Sequence, residues 1–203
     1  MSNRIDELKQ DVREAIGQIG KLTYAEQYPE IKKRNVFSIS TLARGADAQI
    51  AQKNKVQTTD EKINMFFLTG KAIHELLQRY YSKKYLRLSV EFPLNYYFPF
   101  NWQHYTLDGI TVIGHVDVIN WDKREIYEFK TSTFIQKSYA REEYNLQALT
   151  YKNILERRFN REFRVFIIWV SPFLQVKELF DGKESFETIK ERAYECARRL
   201  DSI

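Results

Sequence analysis

The run Ile126-Tyr127-Glu128-Phe129-Lys130-Thr131 sets a glutamate and a lysine two apart inside an otherwise apolar, β-prone stretch. A strand has period two, so Glu128 and Lys130 share one face while Tyr127 and Phe129 share the other. Upstream, residues 110–119 form a second β-branched run that carries a lone acid, Asp117. Asp122 and Lys123 lie between the two runs, a connection short enough for a hairpin turn. Adjacent strands would then bring two carboxylates and a lysine together, the ingredients of a metal site that cuts phosphodiesters.

The rest of the chain must bury those strands. With 203 residues, 43% apolar and 29% charged, it suits one globular domain with a sizeable core. Seven glycines and four prolines are few, which favours regular structure over loops. No apolar run reaches the length of a membrane span, and the N-terminus has no apolar signal core. The single cysteine, Cys196, rules out an intrachain disulfide and any multi-cysteine cluster, and fits a reducing, intracellular, cytoplasmic setting. A net charge of +5 permits a polyanionic partner without requiring one.

Periodicity outlines the elements. Residues 5–19 space Ile5, Leu8, Val12, Ile16 and Ile19 for a helix. Ser40 is placed to cap a second helix that starts near Thr41. Residues 47–62 are polar and fit a helix extension, a loop or a ligand-facing surface. A long helix is expected over 60–81, with Phe66, Ile73, Leu76, Leu77 and Tyr80 as its apolar face. Strand-like stretches follow at 86–92, 95–105, 109–121 and 124–131. Next come a helix over 139–158 and an apolar strand over 163–170 that Ser171-Pro172 would end. A last helix over 184–200 turns Phe186, Ile189, Ala193, Ala197 and Leu200 inward. The expected fold is a single α/β domain over residues 1–203 with a central mixed β-sheet flanked by helices. Within it, 1–60 would be a helical N-terminal part, 61–170 the catalytic core and 171–203 the C-terminal helix.

Phosphodiester hydrolysis needs a hard cation, an activated water and a stabilised leaving oxygen. Asp117 and Glu128 are suitable carboxylate ligands for Mg²⁺ or Mn²⁺, and Lys130 would direct its ammonium at the phosphate or the water. His74, at the border of the long helix's apolar face, could add an imidazole ligand that favours Mn²⁺. Gln78 stands where a zinc protease would need its second histidine, which excludes that chemistry. Gln147 and Tyr151, four apart on a helix, face one way and could reach a site carboxylate or a nucleic-acid backbone. Each residue alone also has a plainer reading: a surface ion pair, a packed helix-border histidine, an interior tyrosine.

Taken in order, Gly70-Lys71-Ala72-Ile73-His74, Gly114-His115-Val116-Asp117, Glu128-Phe129-Lys130-Thr131-Ser132 and the pair Gln147 and Tyr151 resemble the PD-(D/E)XK nuclease superfamily, in its RecB-like branch. The resemblance spans residues 70–151 and implies a restriction-endonuclease-like core. It implies a metal held by His74, Asp117, Glu128 and the backbone carbonyl of Phe129. Lys130 would be the catalytic lysine, with Gln147 and Tyr151 completing the site. Residues 37–42 are also similar to CRISPR-associated members that cut single strands. Gly45 stands where their first cluster cysteine is expected, and no cysteine triad follows Tyr151. No iron–sulfur cluster is therefore expected. Direct packing of N- and C-terminal helices would replace it, with Cys196 as a small buried hydrophobe.

The expected partner is DNA, single-stranded or frayed, in replication, recombination or repair, alongside proteins of those assemblies. A homo-oligomer is compatible with the sequence, though no residue requires one. Rings at 95–105 could stack on unpaired bases at about 1–3 kcal/mol each, but a buried role suits most of them better. Arg157, Arg158, Arg161 and Arg164, with Lys32, Lys33 and Arg34, are candidate phosphate contacts. His115 shares a strand face with Asp117 and is not assigned as a ligand. The competing reading is a non-catalytic nucleic-acid-binding or assembly protein that retains the nuclease fold.

Overall fold

The structure, a computed structural model, describes residues 33–53, 61–104, 106, 108–131, 142–170, 175–180 and 184–202. The helix expected over 5–19, Lys32, Tyr105 and the Ser171-Pro172 stop lie outside the described residues, as does the side chain of Phe66. The chain runs β1 (Val36–Ser38), α1 (Ile39–Arg44), α2 (Ala46–Lys53), α3 (Glu61–Lys84), β2 (Leu88–Pro99) and β3 (Gly109–Asn120). It continues with β4 (Glu125–Thr131), α4 (Glu142–Phe159), β5 (Arg164–Val170), β6 (Gln175–Leu179) and α5 (Glu184–Asp201). The result is a single α/β domain with a mixed six-stranded sheet flanked by helices. Among the described residues no helix is long and apolar enough to cross a membrane.

β3 organises the sheet. β2 lies antiparallel along its whole length, from Leu88 opposite Asn120 to Pro99 opposite Gly109. Its other edge is divided. β1 pairs in parallel with residues 111–113, and β4 pairs antiparallel with residues 118–120. β5 then adds to β4 in parallel, and β6 to β5 antiparallel. β4 outruns its short ladder with β3, so the segment from Glu128 onward leaves β3 while staying paired to β5. The two strands fork where Asp117 and Glu128 would have been cross-strand neighbours.

Burial follows from the sequence periods. One core joins the sheet to α1, α4 and α5 through Phe37, Leu42, Ile110, Val112, Ile119, Ile126, Ile154, Phe186 and Ile189. A smaller core of Val118, Tyr127, Phe129 and Ile168 packs against Leu77 and Tyr81 of α3. Along β3 the larger core takes Ile110, Val112 and Val116, then Ile119, so its phase slips by one at Asp117. Opposite Asp117 stands Glu91 of β2, with φ 47° and no partner in the ladder between Val90–Val118 and Phe92–Val116. A non-glycine residue at positive φ is costly and marks a local distortion held by its surroundings.

Several local expectations change. The second helix begins at Ile39 with Ser38 as its N-cap, and Ser40 instead shares a 2.9 Å hydroxyl contact with Ser38. Leu76 and Tyr80 are 66% and 57% exposed, so the inward stripe of α3 runs through Ile73, Leu77 and Tyr81. The stretches at 86–92 and 95–105 give one continuous strand, β2, through Pro93. The β3–β4 turn holds four residues, 121–124, rather than two. Asn120 accepts the Lys123 N–H through its side chain (3.1 Å), and Arg124 at φ 55° closes the turn. The last helix matches expectation, with Phe186, Ile189, Ala193, Cys196, Ala197 and Leu200 all buried.

The helices α1 and α2 pack directly against α5. Gly45 joins α1 to α2 at φ 121°, a backbone that favours glycine. Arg192 of α5 donates to the end carbonyls of α1, Leu42 (3.0 Å) and Ala43 (2.6 Å). The Cys196 thiol donates to the carbonyl of Ala46, and Arg199 pairs with Asp47 at 2.8 Å.

Gly114 is the tightest helix–sheet contact near the fork. A Cβ there would lie 2.5 Å from Cε1 of the buried Tyr151 ring. Gly114→Ala should destabilise the protein by about 1–3 kcal/mol in urea denaturation, the usual cost of overpacking. The same substitution in a Tyr151→Leu background should cost distinctly less, because the obstructing ring is gone.

Candidate active site

At the fork the strands lose backbone partners and the acids supply them. The N–H of Asp117 donates to Glu128 Oε1 (3.4 Å), and the N–H of Phe129 donates to Asp117 Oδ2 (2.6 Å). Each carboxylate thus binds the other strand's amide. The exchange takes the place of the ladder that ends at Val118 and Tyr127. The sequence placed these acids on adjacent strands; it did not show that the strands part between them.

Lys130, two residues on, turns to the same side as Glu128. Its Nζ donates to Glu128 Oε2 (3.3 Å) and Gln147 Oε1 (3.1 Å). The Gln147 amide in turn donates to Glu128 Oε2 (3.4 Å) and to the Tyr151 hydroxyl (3.0 Å). Tyr151 lies against Gly114. The expected pairing of Gln147 with Tyr151 on one face of α4 is therefore present, and Gln147 does reach a site carboxylate. The opposite face of β4 meets α3. Phe129 packs edge-on against His74 at 5.8 Å and beside Tyr81. His74 Nδ1 comes within 3.4 Å of Asp117 Oδ1. Gly70, one turn earlier, lets α3 approach β4, since a Cβ there would meet the Thr131 hydroxyl at 2.7 Å.

Six predicted side chains, His74, Asp117, Glu128, Lys130, Gln147 and Tyr151, therefore form one connected set around the fork. Phe129 enters it here through its N–H rather than its carbonyl. Two further residues escaped the sequence reading. Gln78, buried and one turn beyond His74, donates to Glu91 Oε1 (2.7 Å) and to the Asp117 carbonyl (3.4 Å). The four-residue step from His74 to Gln78 and the acid inside Val90-Glu91-Phe92 were the available signals.

The electrostatics are uneven. Burial pushes the Glu128 carboxyl up to about 8; the Asp117 charge adds to this, and Lys130 opposes it. Burial lowers Lys130, but the charges of Glu128 and Asp117 outweigh it and the net direction is upward. Burial, then Asp117, raises Glu91, while its bond from Gln78 acts the other way. When both acids are ionised, the buried fork thus carries more negative charge than Lys130 alone offsets.

The donors, two carboxylates and an imidazole, suit Mg²⁺ or Mn²⁺, and a divalent cation would offset that charge. In the present arrangement His74 approaches Asp117, while Glu128 is bonded to Lys130 and Gln147. Among the described residues no three His, Cys, Asp or Glu side chains are grouped closely enough to hold a metal as they stand.

The other candidates lie elsewhere. Phe98 and Trp102 are buried, and Tyr96 and Phe100 pack against Phe186 and Tyr194 of α5. Tyr97 is half exposed, with its hydroxyl donating to the Asp108 carbonyl. Arg157 stacks on Phe186, Arg158 donates to Asn95, and Arg164 pairs with Glu125 and Glu178. His104 uses its N–H on Asp201.

No family profile and no curated protein matches this chain. Solved structures do share its fold. The crystal structure of SSO0001 aligns with a TM-score of 0.60 at 14% identity, covering 83% of this chain and 77% of that one. A candidate exonuclease from Eubacterium rectale aligns with a TM-score of 0.55 at 11% identity, covering 88% and 85%. At these identities the likeness shows the fold alone, a single α/β domain with a mixed six-stranded sheet flanked by helices, which is consistent with a restriction-endonuclease-like core.

Glu128 gives this site a pH signature in metal-free protein. Its native carboxyl holds a proton that the unfolded chain releases near its ordinary value of 4.5. Between there and about 8 the native state binds more protons, so stability should fall as pH rises. Urea denaturation in EDTA at pH 5 and pH 9 should show Glu128→Gln gaining stability relative to wild type at pH 9. Equal pH dependence in the two proteins would contradict the assignment.

Proposed function

We propose that this chain is a metal-dependent deoxyribonuclease of the PD-(D/E)XK, RecB-like kind. It hydrolyses phosphodiester bonds and prefers single-stranded DNA or frayed ends. The observation that carries this reading is the connected set at the fork, with Glu128 bound at once to the Asp117 N–H, Lys130 and Gln147. A structural ion pair has no need of a second buried acid, which only raises its electrostatic cost. The candidate exonuclease with the same architecture is consistent with this choice.

His74, Asp117, Glu128 and the Phe129 carbonyl would hold Mg²⁺ or Mn²⁺. When bound, such a cation neutralises phosphate oxygens and lowers the pKa of water. The residues of the chain do the rest. Loss of the Glu128 proton at the site favours cation binding, so affinity rises with pH toward about 8. Lys130, a cation anchored by Glu128 and Gln147, orients the attacking water or neutralises the scissile phosphate. Tyr151 fixes the Gln147 amide so that its carbonyl oxygen faces Lys130. The lone buried Cys196 is in keeping with a reducing, cytoplasmic setting.

Labelled single- and double-stranded DNA incubated with Mg²⁺, Mn²⁺ or EDTA tests the reading. Wild type should cut with metal and not in EDTA, faster on single strands. Glu128→Ala should abolish cutting, and Lys130→Ala should slow it by about two to four orders of magnitude. Lys130→Ala should still bind Mn²⁺ by calorimetry. Equal cleavage by wild type and Glu128→Ala would rule out the mechanism, while no cleavage by wild type would favour a binding protein.

A further inference from the structure

We infer that a single nucleic-acid strand reaches the fork along a groove between α3 and β2, held through its phosphates by Arg79 and Lys83. This inference rests on the nuclease reading and extends it to the path of the substrate. The groove is a cavity of about 360 Å³ lined by Glu75, Gln78, Arg79, Ser82, Lys83 and Val90. Its inner wall adjoins the site, because Gln78 lines it and also donates to the Asp117 carbonyl. Glu75 follows His74 directly in α3. A strand lying in the groove would pass Gln78 and the turn of α3 that carries His74, next to the fork.

Charge favours a polyanion. Lys71, Glu75, Arg79 and Lys83 recur every four residues along one flank of α3, three cations to one acid. Steps of four rise about 6 Å each, so the stripe runs the length of the groove as a rail. Among the described residues, neither Arg79 nor Lys83 forms an ion pair. The cations first considered from the sequence differ. Arg164 is neutralised by Glu125 and Glu178, Arg157 stacks on Phe186, and Arg158 is bound to Asn95. The floor supplies Ser82, Gln78 and the exposed Val90, and among the described residues no aromatic ring lines it. A groove of this kind tracks a backbone and does not read bases, so binding should be indifferent to sequence.

The test is fluorescence anisotropy of a labelled single-stranded oligonucleotide of mixed sequence, in EDTA, over a range of KCl concentrations. Arg79→Ala with Lys83→Ala should weaken binding roughly tenfold. It should also flatten the log Kd against log salt slope by about 1.4, two phosphate contacts at about 0.7 each. Arg79→Glu with Lys83→Glu should weaken binding further, and both pairs should keep the wild-type melting temperature. Lys177→Ala with Arg198→Ala, exposed cations away from the groove, should leave affinity and slope unchanged. An unchanged slope in the groove variants, an equal loss in the control pair, or no binding by wild type would overturn the proposal. If wild type cuts DNA while the groove variants keep its slope, the path is wrong and the nuclease reading stands. A groove-dependent slope in a protein that never cuts would leave the path standing and remove the catalytic reading.

Discussion

The exchange of amides and carboxylates between β3 and β4 is the interaction on which the rest of the site depends. Two strands that separate inside a core leave N–H groups unpaired, each expensive to bury without an acceptor. Asp117 and Glu128 fill those positions with their own carboxylates, at 2.6 Å and 3.4 Å. The acids are thus structural parts of the fork as well as its chemical contents. This explains how a carboxyl group can be almost fully buried at the centre of a sheet. It also explains why both helical layers converge there. α3 brings His74 from one side through Gly70, and α4 brings Gln147 and Tyr151 from the other through Gly114.

The residues legible in the sequence are those whose placement depends on local period. Glu128 and Lys130 share a face because a strand repeats every two residues, and Gln147 and Tyr151 align because a helix nearly repeats every four. The buried face of α5 was readable for the same reason. The long helix was harder, since its stripe of apolar residues was wide enough to include Leu76 and Tyr80. The sheet covers only the flank of Leu77 and Tyr81, leaving the other two in solvent. β1 and β6, three and five residues long, carry too little pattern to separate from loop. Gln78 and Glu91 are thirteen residues apart, and their link to Asp117 exists only once α3 lies across β2 and β3. No period encodes such a contact.

Gly45 illustrates a different limit. As a sequence position it signified a missing cysteine. In the structure it carries a φ of 121° between α1 and α2, and the α5 side chains Arg192, Cys196 and Arg199 bond to those helices directly. The same junction is thus held by hydrogen bonds and an ion pair between packed helices. Arg192 adds donors to the end carbonyls of α1, to Ala43 and to Leu42, which also accepts the Gly45 N–H.

The slip at Asp117 connects these local facts to the function proposed. Glu91, at positive φ opposite Asp117, accepts from the Gln78 amide, which also donates to the Asp117 carbonyl. Gln78 at the same time forms a wall of the groove on α3. One buried amide therefore ties three features: the distortion of β2, the position of the Asp117 backbone, and the surface along which a strand would approach. Moving Gln78 would change the approach surface and the acid together. Under the proposed path, substrate in the groove would touch the side chain that also holds the Asp117 carbonyl, a coupling of path to fork through one hydrogen-bonded residue. Its neighbours on the same helix, His74 before it and Ser82 after it, extend that coupling from the acids outward.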